Sequence, residues 1–318
     1  MIPPTSIDGT DITGATIDGQ DVQEITVDGD VVFSASQPKI YHFGGFSGST
    51  IDDIYEYDPA TDSISTQSVT LPKNIRGASA VPVDGKVYIL GGRSGSDIDD
   101  IYEYDPATDS ISTQSATLPQ DVGFATAAAV DGKIYHLGGF DGSSDIDDIY
   151  EYDPATDSIS TQSATLPQAK SGGTAESVSG KIYHLGGSTT DDIYEYDPAT
   201  DSISTQSATL PRNITQATSA VIDSKIYQLG GDAGGDIDDI VEYDPATDSI
   251  STQSATLPQN LRFGTAAPAD GKIYHLGGLA GSSGIDDIYE YDPATDSIST
   301  QSATLPKNIS QATSASVG

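Results

Sequence analysis

The segment Tyr104-Asp-Pro-Ala-Thr-Asp-Ser-Ile-Ser-Thr-Gln-Ser115 occurs six times in the chain, and each copy has the composition of two short strands joined by a turn. Asp, Pro and Thr in its middle favour the turn, whereas the flanking Tyr, Ile and Thr favour strands. The copies begin at Tyr57, Tyr104, Tyr152, Tyr196, Tyr243 and Tyr291. A Gly-Gly pair precedes every copy; the pairs begin at residues 44, 91, 138, 186, 230 and 277 and are therefore 44–48 residues apart. An internal period of this length is typical of proteins built from repeated supersecondary units.

Each repeat predicts four short strands. In the second repeat, residues 78–83 and 86–90 flank an Asp-Gly hairpin turn, and residues 101–104 and 111–115 flank a second turn. No segment of ten residues shows helical periodicity. Four strands in a repeat of this length correspond to one blade of a β-propeller, so the sequence predicts an all-β, six-bladed propeller.

The Gly pair, the Tyr of the third strand and the spacing of strands and turns resemble the kelch repeat. The resemblance covers residues 37–318 in six units and implies a closed propeller ring. Kelch repeats usually carry Trp seven residues after that Tyr, whereas this chain has isoleucine there, at Ile64, Ile111, Ile159, Ile203, Ile250 and Ile298. The departure concerns the packing between blades and not the architecture.

The two ends of the repeat array predict how the ring closes. The first repeat begins at Lys39 with its second strand and lacks an innermost strand. A segment of matching composition lies at residues 312–317, and we expect it to complete the first blade. Closure of this kind removes exposed sheet edges. The chain thus divides into a propeller of residues 37–318, which resembles a kelch-like ring, and an N-terminal segment of residues 1–36.

The composition excludes several classes of function. The chain has 13 Lys and Arg against 48 Asp and Glu, a formal net charge of −35, and no Cys. It therefore has no disulfides, and its field would repel nucleic acid. No apolar run is long enough for membrane insertion, and no secretory signal precedes the first basic residue, Lys39. Such an excess of acid indicates a protein adapted to molar salt, which screens the repulsion.

Residues 1–36 differ from the repeats. An Ile-Asp-Gly or Val-Asp-Gly triplet recurs at residues 7–9, 17–19 and 27–29, which predicts a β-rich segment of short strands joined by turns. A segment this short does not fold alone, so it must lie against the propeller, another copy or another protein. Its pattern is similar to N-terminal stretches of structural proteins from haloarchaeal tailed viruses. That similarity implies an assembly anchor; a loosely attached strand extension is the alternative.

Two loops in each repeat vary while the rest is almost identical. One follows the Gly pair and the other leads from the outermost strand to the next blade, so both lie on one face, which we call the variable-loop face. Rigid scaffolds usually carry their binding residues on such loops. The predicted binding residues are Lys73, Arg76, Arg93, Phe124, Phe140, Lys170, Arg212, Arg262, Phe263 and Lys307. Aromatic and Arg side chains suit a glycan or an acidic glycoprotein. The alternative is that the apolar loop residues fill strand ends and the bases merely reduce repulsion.

No residues stand out as a catalytic or metal centre. The histidines share one repeat position that holds Ile89 and Gln228 in the other two repeats, which indicates a structural role; they are His42, His136, His184 and His275. Paired aspartates such as Asp52-Asp53 favour weak screening by cations over a specific Ca²⁺ site. Most acids are repeat copies, so no carboxylate pair is singled out for glycoside hydrolysis. We expect no enzyme, no cofactor and no metal.

The sequence favours a non-enzymatic binding or assembly module. The first hypothesis is a virion protein of a haloarchaeal virus, at the tail, fibre or capsid surface. In it, residues 1–36 bind other virion proteins, and the variable loops bind a host cell-surface glycan or glycoprotein. The second hypothesis is a scaffold in the cytoplasm of a halophile that binds a protein partner through the same face. A carbohydrate-active enzyme is third, and the N-terminal segment also allows a homo-oligomer.

Overall fold

The chain adopts the propeller that the repeats predict. The computed structural model describes residues 37–188 and 190–318 in full and, before them, the backbone of four short strands. Six four-stranded antiparallel sheets surround a central axis, and no helix occurs in this described part. The predicted fold class, an all-β six-bladed propeller, is therefore confirmed.

Each blade runs outward from the axis through four strands. The innermost strands of blades one to six are Thr313–Val317, Ser79–Val83, Thr126–Val130, Thr174–Val178, Thr218–Ile222 and Thr265–Ala269. The second strands are Lys39–Phe43, Lys86–Leu90, Lys133–Leu137, Lys181–Leu185, Lys225–Leu229 and Lys272–Leu276. The third strands are Ile54–Asp58, Ile101–Asp105, Ile149–Asp153, Asp192–Asp197, Ile237–Asp244 and Asp287–Asp292. The outermost strands are Ser63–Thr66, Ser110–Thr113, Ser158–Thr161, Ser202–Thr209, Ser249–Leu261 and Ser297–Thr304. Two-residue strands also pair within loops, Arg93–Ser94 with Ser96–Asp97 and Leu279–Ala280 with Ser283–Gly284.

The described strands of the N-terminal segment form two antiparallel pairs. Thr16–Ile17 pairs with Gln20–Asp21, and Glu24–Val27 pairs with Asp30–Ser34. The remainder of residues 1–36 lies outside the described residues, and so does the predicted anchoring contact with other proteins.

The last strand of the chain completes the first blade. Thr313–Val317 pairs antiparallel with Lys39–Phe43, with Ala315 opposite Tyr41. The two ends of the propeller sequence thus meet in one sheet. Every innermost strand then has a hydrogen-bonded neighbour on its outer side and the axis on its inner side.

Tyrosines pack one blade against the next. Tyr104 is fully buried, and its ring centre lies 5.5 Å from that of Tyr41 in the preceding blade. The equivalent pair between the last blade and the first is Tyr274 with Tyr57, also at 5.5 Å. Ile111, which stands where the kelch pattern has Trp, lies opposite Tyr104 in the sheet and packs against the same cluster. Tilted aromatic pairs of this kind add stability beyond the area that they bury, so the tyrosines supply much of the contact between blades.

Aspartates in the turn between the third and outermost strands tie each blade to the one before it. Asp109 has a left-handed φ of +45°. Its carboxylate accepts a hydrogen bond from the Tyr104 hydroxyl at 3.2 Å and another from the backbone N–H of Ser68 in the preceding blade at 2.9 Å. The Ser68 hydroxyl also donates to this carboxylate. The same contact closes the ring, where the N–H of Ser302 donates to Asp62 at 2.8 Å. We call this contact the aspartate clamp.

The aspartate clamp predicts a loss of stability in the variant D109N. Hydrogen bonds from the Ser68 hydroxyl, against the opposing effect of burial, hold the pKa of Asp109 below its usual value. We expect the free energy of unfolding at pH 7 to fall by about 1–2 kcal/mol in urea denaturation, because a neutral acceptor makes weaker hydrogen bonds. Since folding lowers the pKa, this contribution is present above the ordinary Asp value of about 4 and is lost as pH falls through the lowered value.

The control for this variant is D84N, because Asp84 is an exposed turn residue with a similar φ of +50°. It should change the free energy of unfolding by less than about 0.5 kcal/mol. If D109N were as stable as D84N at pH 7, the clamp would carry no stability.

Candidate functional site

The two variable loops of each blade lie side by side at one end of the propeller. In the second blade, the Arg93 N–H donates to the Arg76 carbonyl at 2.8 Å and the Arg76 N–H donates back to Arg93 at 3.1 Å. In the first blade, Phe46 and Ser310 make the same exchange. The variable-loop face is therefore a continuous, hydrogen-bonded surface.

The Gly pair exists because these loops approach each other closely. Gly92 has φ +99°, and its N–H donates to the carbonyl of Val122 at 2.8 Å. A Cβ on Gly91 would lie only 2.4 Å from that same oxygen. A side chain at Gly91 would thus force the two loops apart.

Six residues form a closed ring of hydrogen bonds around the axis on this face. In each of them the N–H donates to the carbonyl of the equivalent residue one blade back, at N–O distances of 2.6–2.9 Å. All six have φ between +55° and +66°. The members of this ring, which we call the axial ring, are Gly77, Phe124, Gly172, Gln216, Phe263 and Gln311. Four of them are not glycine, although the left-handed region is costly for such residues. The closed ring holds them there.

Two of the predicted binding residues meet over the axis. Phe124 and Phe263 are opposite members of the axial ring, and their ring centres lie 6.3 Å apart. Both side chains are partly exposed. The Arg262 guanidinium lies 5.9 Å from the Phe263 ring centre, and Arg76 donates to Gln311 at 2.8 Å. The structure therefore brings Arg76, Phe124, Arg262 and Phe263 together in a central aromatic patch.

Phe46, at the rim of this patch, was not among the predicted binding residues. The Arg76 guanidinium lies 5.3 Å from the Phe46 ring centre, a distance suited to a cation–π contact. By contrast, Phe140 stays on its own loop, bonded through its backbone to Gly123, and within the described residues makes no ring contact with the central pair.

Three of the predicted basic residues are engaged by aspartates of the following blade. Each follows the Leu-Pro pair and binds the second aspartate of an Asp-Asp pair; the ion pairs are Lys73 with Asp100, Arg212 with Asp239 and Lys307 with Asp53. Gln120, in the loop between the second and third blades, takes the same place and donates to Asp148 of the third blade at 3.2 Å. The paired aspartates thus act as acceptors between blades. These three bases thus contribute to the contacts between blades, and their side chains stay about half exposed.

Arg93 and Arg262 are likewise paired within the loops. Arg93 lies 3.2 Å from Asp97, whose side chain is nearly fully buried. Arg262 lies 2.6 Å from Asp236 and 3.2 Å from Asp232. Their charges are largely balanced by the protein itself.

Lys170 is not on the surface, which corrects its prediction as a binding residue. Its exposed fraction is 0%, and its ammonium group donates to the Gly186 carbonyl at 3.2 Å and to Thr190 Oγ1 at 3.4 Å, above the ring of Tyr194. The other blades hold an apolar residue at this position, namely Ile75, Val122, Ile214, Leu261 and Ile309, and each is buried. Lys170 therefore fills a core position, and burial lowers its pKa to about 8. These apolar residues also fill the core and do not present a binding surface.

The variant K170I should be more stable than the wild type. It supplies the residue that Ile75 and Ile214 provide in other blades and removes the cost of burying an ammonium group without a carboxylate at hydrogen-bond distance. We expect the free energy of unfolding, from urea denaturation at pH 7, to rise by about 1–3 kcal/mol. The control I214K should lower it by a similar or larger amount. A less stable K170I would show that the buried ammonium supports the fold.

The four histidines are buried in the second strands. Burial lowers the pKa of His42, His136 and His275 to about 4, and burial together with nearby Lys170 lowers that of His184 to about 3. Neither ring nitrogen of His42 has a hydrogen-bond partner. Within residues 37–188 and 190–318, no group of three or more His, Asp or Glu is placed to hold a metal ion. The histidines are neutral core residues at neutral pH.

These histidines predict a pH dependence of stability. Below the ordinary pKa of 6.5 the unfolded chain takes up protons that the folded chain does not, so stability falls as pH drops from 6.5 towards 4. Replacing all four with Gln, which Gln228 shows to fit, should remove this loss. The free energy of unfolding, measured by urea denaturation, should change less between pH 7 and pH 4.5 in this variant than in the wild type. We expect the change to be smaller by at least about 2 kcal/mol.

The single variant H136Q should remove about a quarter of that effect, which covers the case in which the fourfold variant does not fold. Equal pH dependence in wild type and variants would mean that the histidines become protonated without unfolding the chain.

A cavity of about 480 Å³ runs along the axis between the innermost strands. Among the residues that line it, Glu176 is the one ionisable group, and the others are mainly Ala, Ser, Thr and Val. The cavity thus lacks the second carboxylate that a glycosidase requires. In addition, the described part of the chain contains no helix that could span a membrane.

Sequence reasoning missed both the axial ring and Glu176. When the repeats are aligned on their Gly pairs, Glu176 differs from the residues at the same position of the other blades. Those residues are Val81, Ala128, Ala220, Ala267 and Ala315. The axial ring left no such signal, since Gly, Phe and Gln have nothing chemical in common. Its members share a backbone conformation and not a side-chain type.

A comparison with protein families supports the repeat assignment. The model described as the KLHDC2/KLHL20/DRC7 Kelch-repeats domain matches residues 31–231, which is more than half of the 318 residues. No curated protein matches the chain.

Proposed function

The chain belongs to the Kelch-repeat family, and on that basis we propose that it is a non-enzymatic scaffold that binds a protein partner through the variable-loop face. The observation that carries the proposal is the contact between Phe124 and Phe263 over the axis. The third strand, turn and outermost strand are copied almost without change in every blade, whereas this pair occurs at one place. Binding surfaces are found where a rigid scaffold varies its loops.

The composition of the central patch suits a protein partner. Aromatic residues and Arg are enriched at the energetically dominant centres of protein interfaces. Phe124 and Phe263 are partly exposed there, with Arg262 beside Phe263 and Arg76 over Phe46 at the rim. Because Arg262 is already paired with Asp236, the patch offers mainly apolar contact area. We therefore expect a partner segment with an apolar anchor residue.

The same contacts weaken the case for glycan recognition. Recognition of an acidic sugar favours guanidinium groups without a carboxylate partner, and Arg93, Arg212 and Arg262 are each already paired with an aspartate of the chain. The virion hypothesis, with its anchor in residues 1–36, and the halophile hypothesis stay predictions. No contact of the described residues favours either over a cellular scaffold.

The absence of an enzymatic role is part of the proposal. Kelch-repeat propellers are usually non-enzymatic. The axial cavity has one carboxylate, and the histidines of the second strands are held neutral by burial. This arrangement supports binding in preference to acid–base catalysis, which needs two groups within reach of one substrate.

The test removes the central pair without disturbing the axial ring. In the variant F124Q/F263Q both positions receive the residue that Gln216 and Gln311 already place in the same left-handed conformation. The amount of each partner protein that the immobilised wild type retains is quantified by mass spectrometry. We expect this amount to be at least about tenfold lower on the immobilised variant, since central aromatic residues dominate interface energies.

The matched control is D84N/D131N, which alters exposed turns on the opposite face and should retain the same proteins as the wild type. Retention by F124Q/F263Q of everything that the wild type retains would show that the central patch is not the binding surface.

A further inference from the structure

We propose that the axial cavity is a binding site for a small organic cation, a primary alkylammonium ion, held by the carboxylate of Glu176. This site lies on the innermost strands and is separate from the central aromatic patch. It is therefore independent of the proposed protein-binding function.

The position of Glu176 is the first argument. It is the third residue of the innermost strand Thr174–Val178, and the equivalent residues of the other five blades are Ala or Val, nearly fully buried. Ser219 of the next blade donates its hydroxyl to Glu176 Oε1 at 2.7 Å. No other ionisable residue lines the cavity, so this charge has no partner of opposite sign there. Desolvation raises the pKa of Glu176 to about 7, against the opposing hydrogen bond from Ser219.

A carboxylate in such a place is costly unless a cation accompanies it. The Glu176 side chain is half-buried, and removing part of a carboxylate's surface from water is unfavourable when no opposite charge compensates it. The chain has replaced Ala, the residue of four other blades, by the one side chain that introduces this cost. A bound cation offsets the cost.

The two ends of the cavity differ. At the variable-loop face, the axial ring and the contact between Phe124 and Phe263 lie directly above the uppermost lining residues. The opposite end faces the turns that follow the innermost strands, and these turns carry Asp84, Asp131 and Asp223. Clustered acids around a mouth raise the local concentration of cations. A cation thus reaches Glu176 from the face opposite to the aromatic patch.

The lining selects the class of cation. A divalent metal ion requires several oxygen ligands with more than one carboxylate as a rule, and this cavity offers one carboxylate. A quaternary ammonium ion is usually held by aromatic rings, and none lines the cavity. A primary ammonium group has three N–H donors, which match the Glu176 carboxylate and the Ser and Thr hydroxyls of the lining. Its alkyl chain suits the Ala and Val surface, and the cavity volume falls in the range of small-molecule sites.

Isothermal titration calorimetry with n-butylammonium chloride tests the proposal on the full chain at pH 8. We expect saturable binding of one butylammonium per chain to the wild type and at least a tenfold weaker Kd in E176A. Since E176A restores the residue of Ala128 and Ala267, the variant should fold, which thermal denaturation checks. The wild-type affinity should weaken as pH falls below about 7, because protonation of Glu176 removes the charge.

Three controls define what would overturn the proposal. Butan-1-ol, which has the same alkyl chain and no charge, should not bind. Equal butylammonium binding by wild type and E176A would place the cation elsewhere on this acidic chain. Equal affinity for potassium or magnesium chloride in the wild type would mean that the cavity attracts positive charge without recognising an ammonium group.

Discussion

The contact between neighbouring blades is the constraint on which the rest of this structure depends. A four-stranded sheet cannot bury both of its faces alone, and here each face is covered by the next blade through a tyrosine pair such as Tyr41 with Tyr104. The aspartate clamp repeats at every boundary, including the one that joins Ser302 to Asp62. Because the ring closes, no boundary is left without a partner, and the buried second strands such as Lys86–Leu90 can be apolar along nearly their whole length.

A chain made of near-identical units shows its specific features where one unit departs from the others. Phe124 and Phe263 depart on the variable-loop face, Lys170 departs in the core, and Glu176 departs at the axis. Each replaces a residue whose structural role is known from the other blades. The six repeats thus provide internal controls, and they separate the residues that the fold requires from those that it only tolerates.

The repeat pattern was sufficient to predict the fold, because strand length, turn composition and period all pointed to the same architecture. The site was harder to predict. Lys73 and Arg212 looked free in the sequence, yet their aspartate partners, Asp100 and Asp239, lie 27 residues away in the next blade. Contacts across blades depend on the stagger between sheets, which no local pattern encodes. The charge of Lys170 predicts an exposed side chain, whereas its repeat position, which holds Ile75 in another blade, indicates a buried one.

The size of the axial ring depends on the number of blades, because each blade contributes one N–H and one carbonyl to it. Every N–H and carbonyl that it uses is engaged, with six donors matched to six acceptors. A seventh repeat gained by duplication would have to enlarge this circle, which would separate Phe124 from Phe263 and widen the cavity beside Glu176. Gene duplication can therefore copy the outer strands of this protein freely, but a change in copy number would rebuild the centre of the molecule.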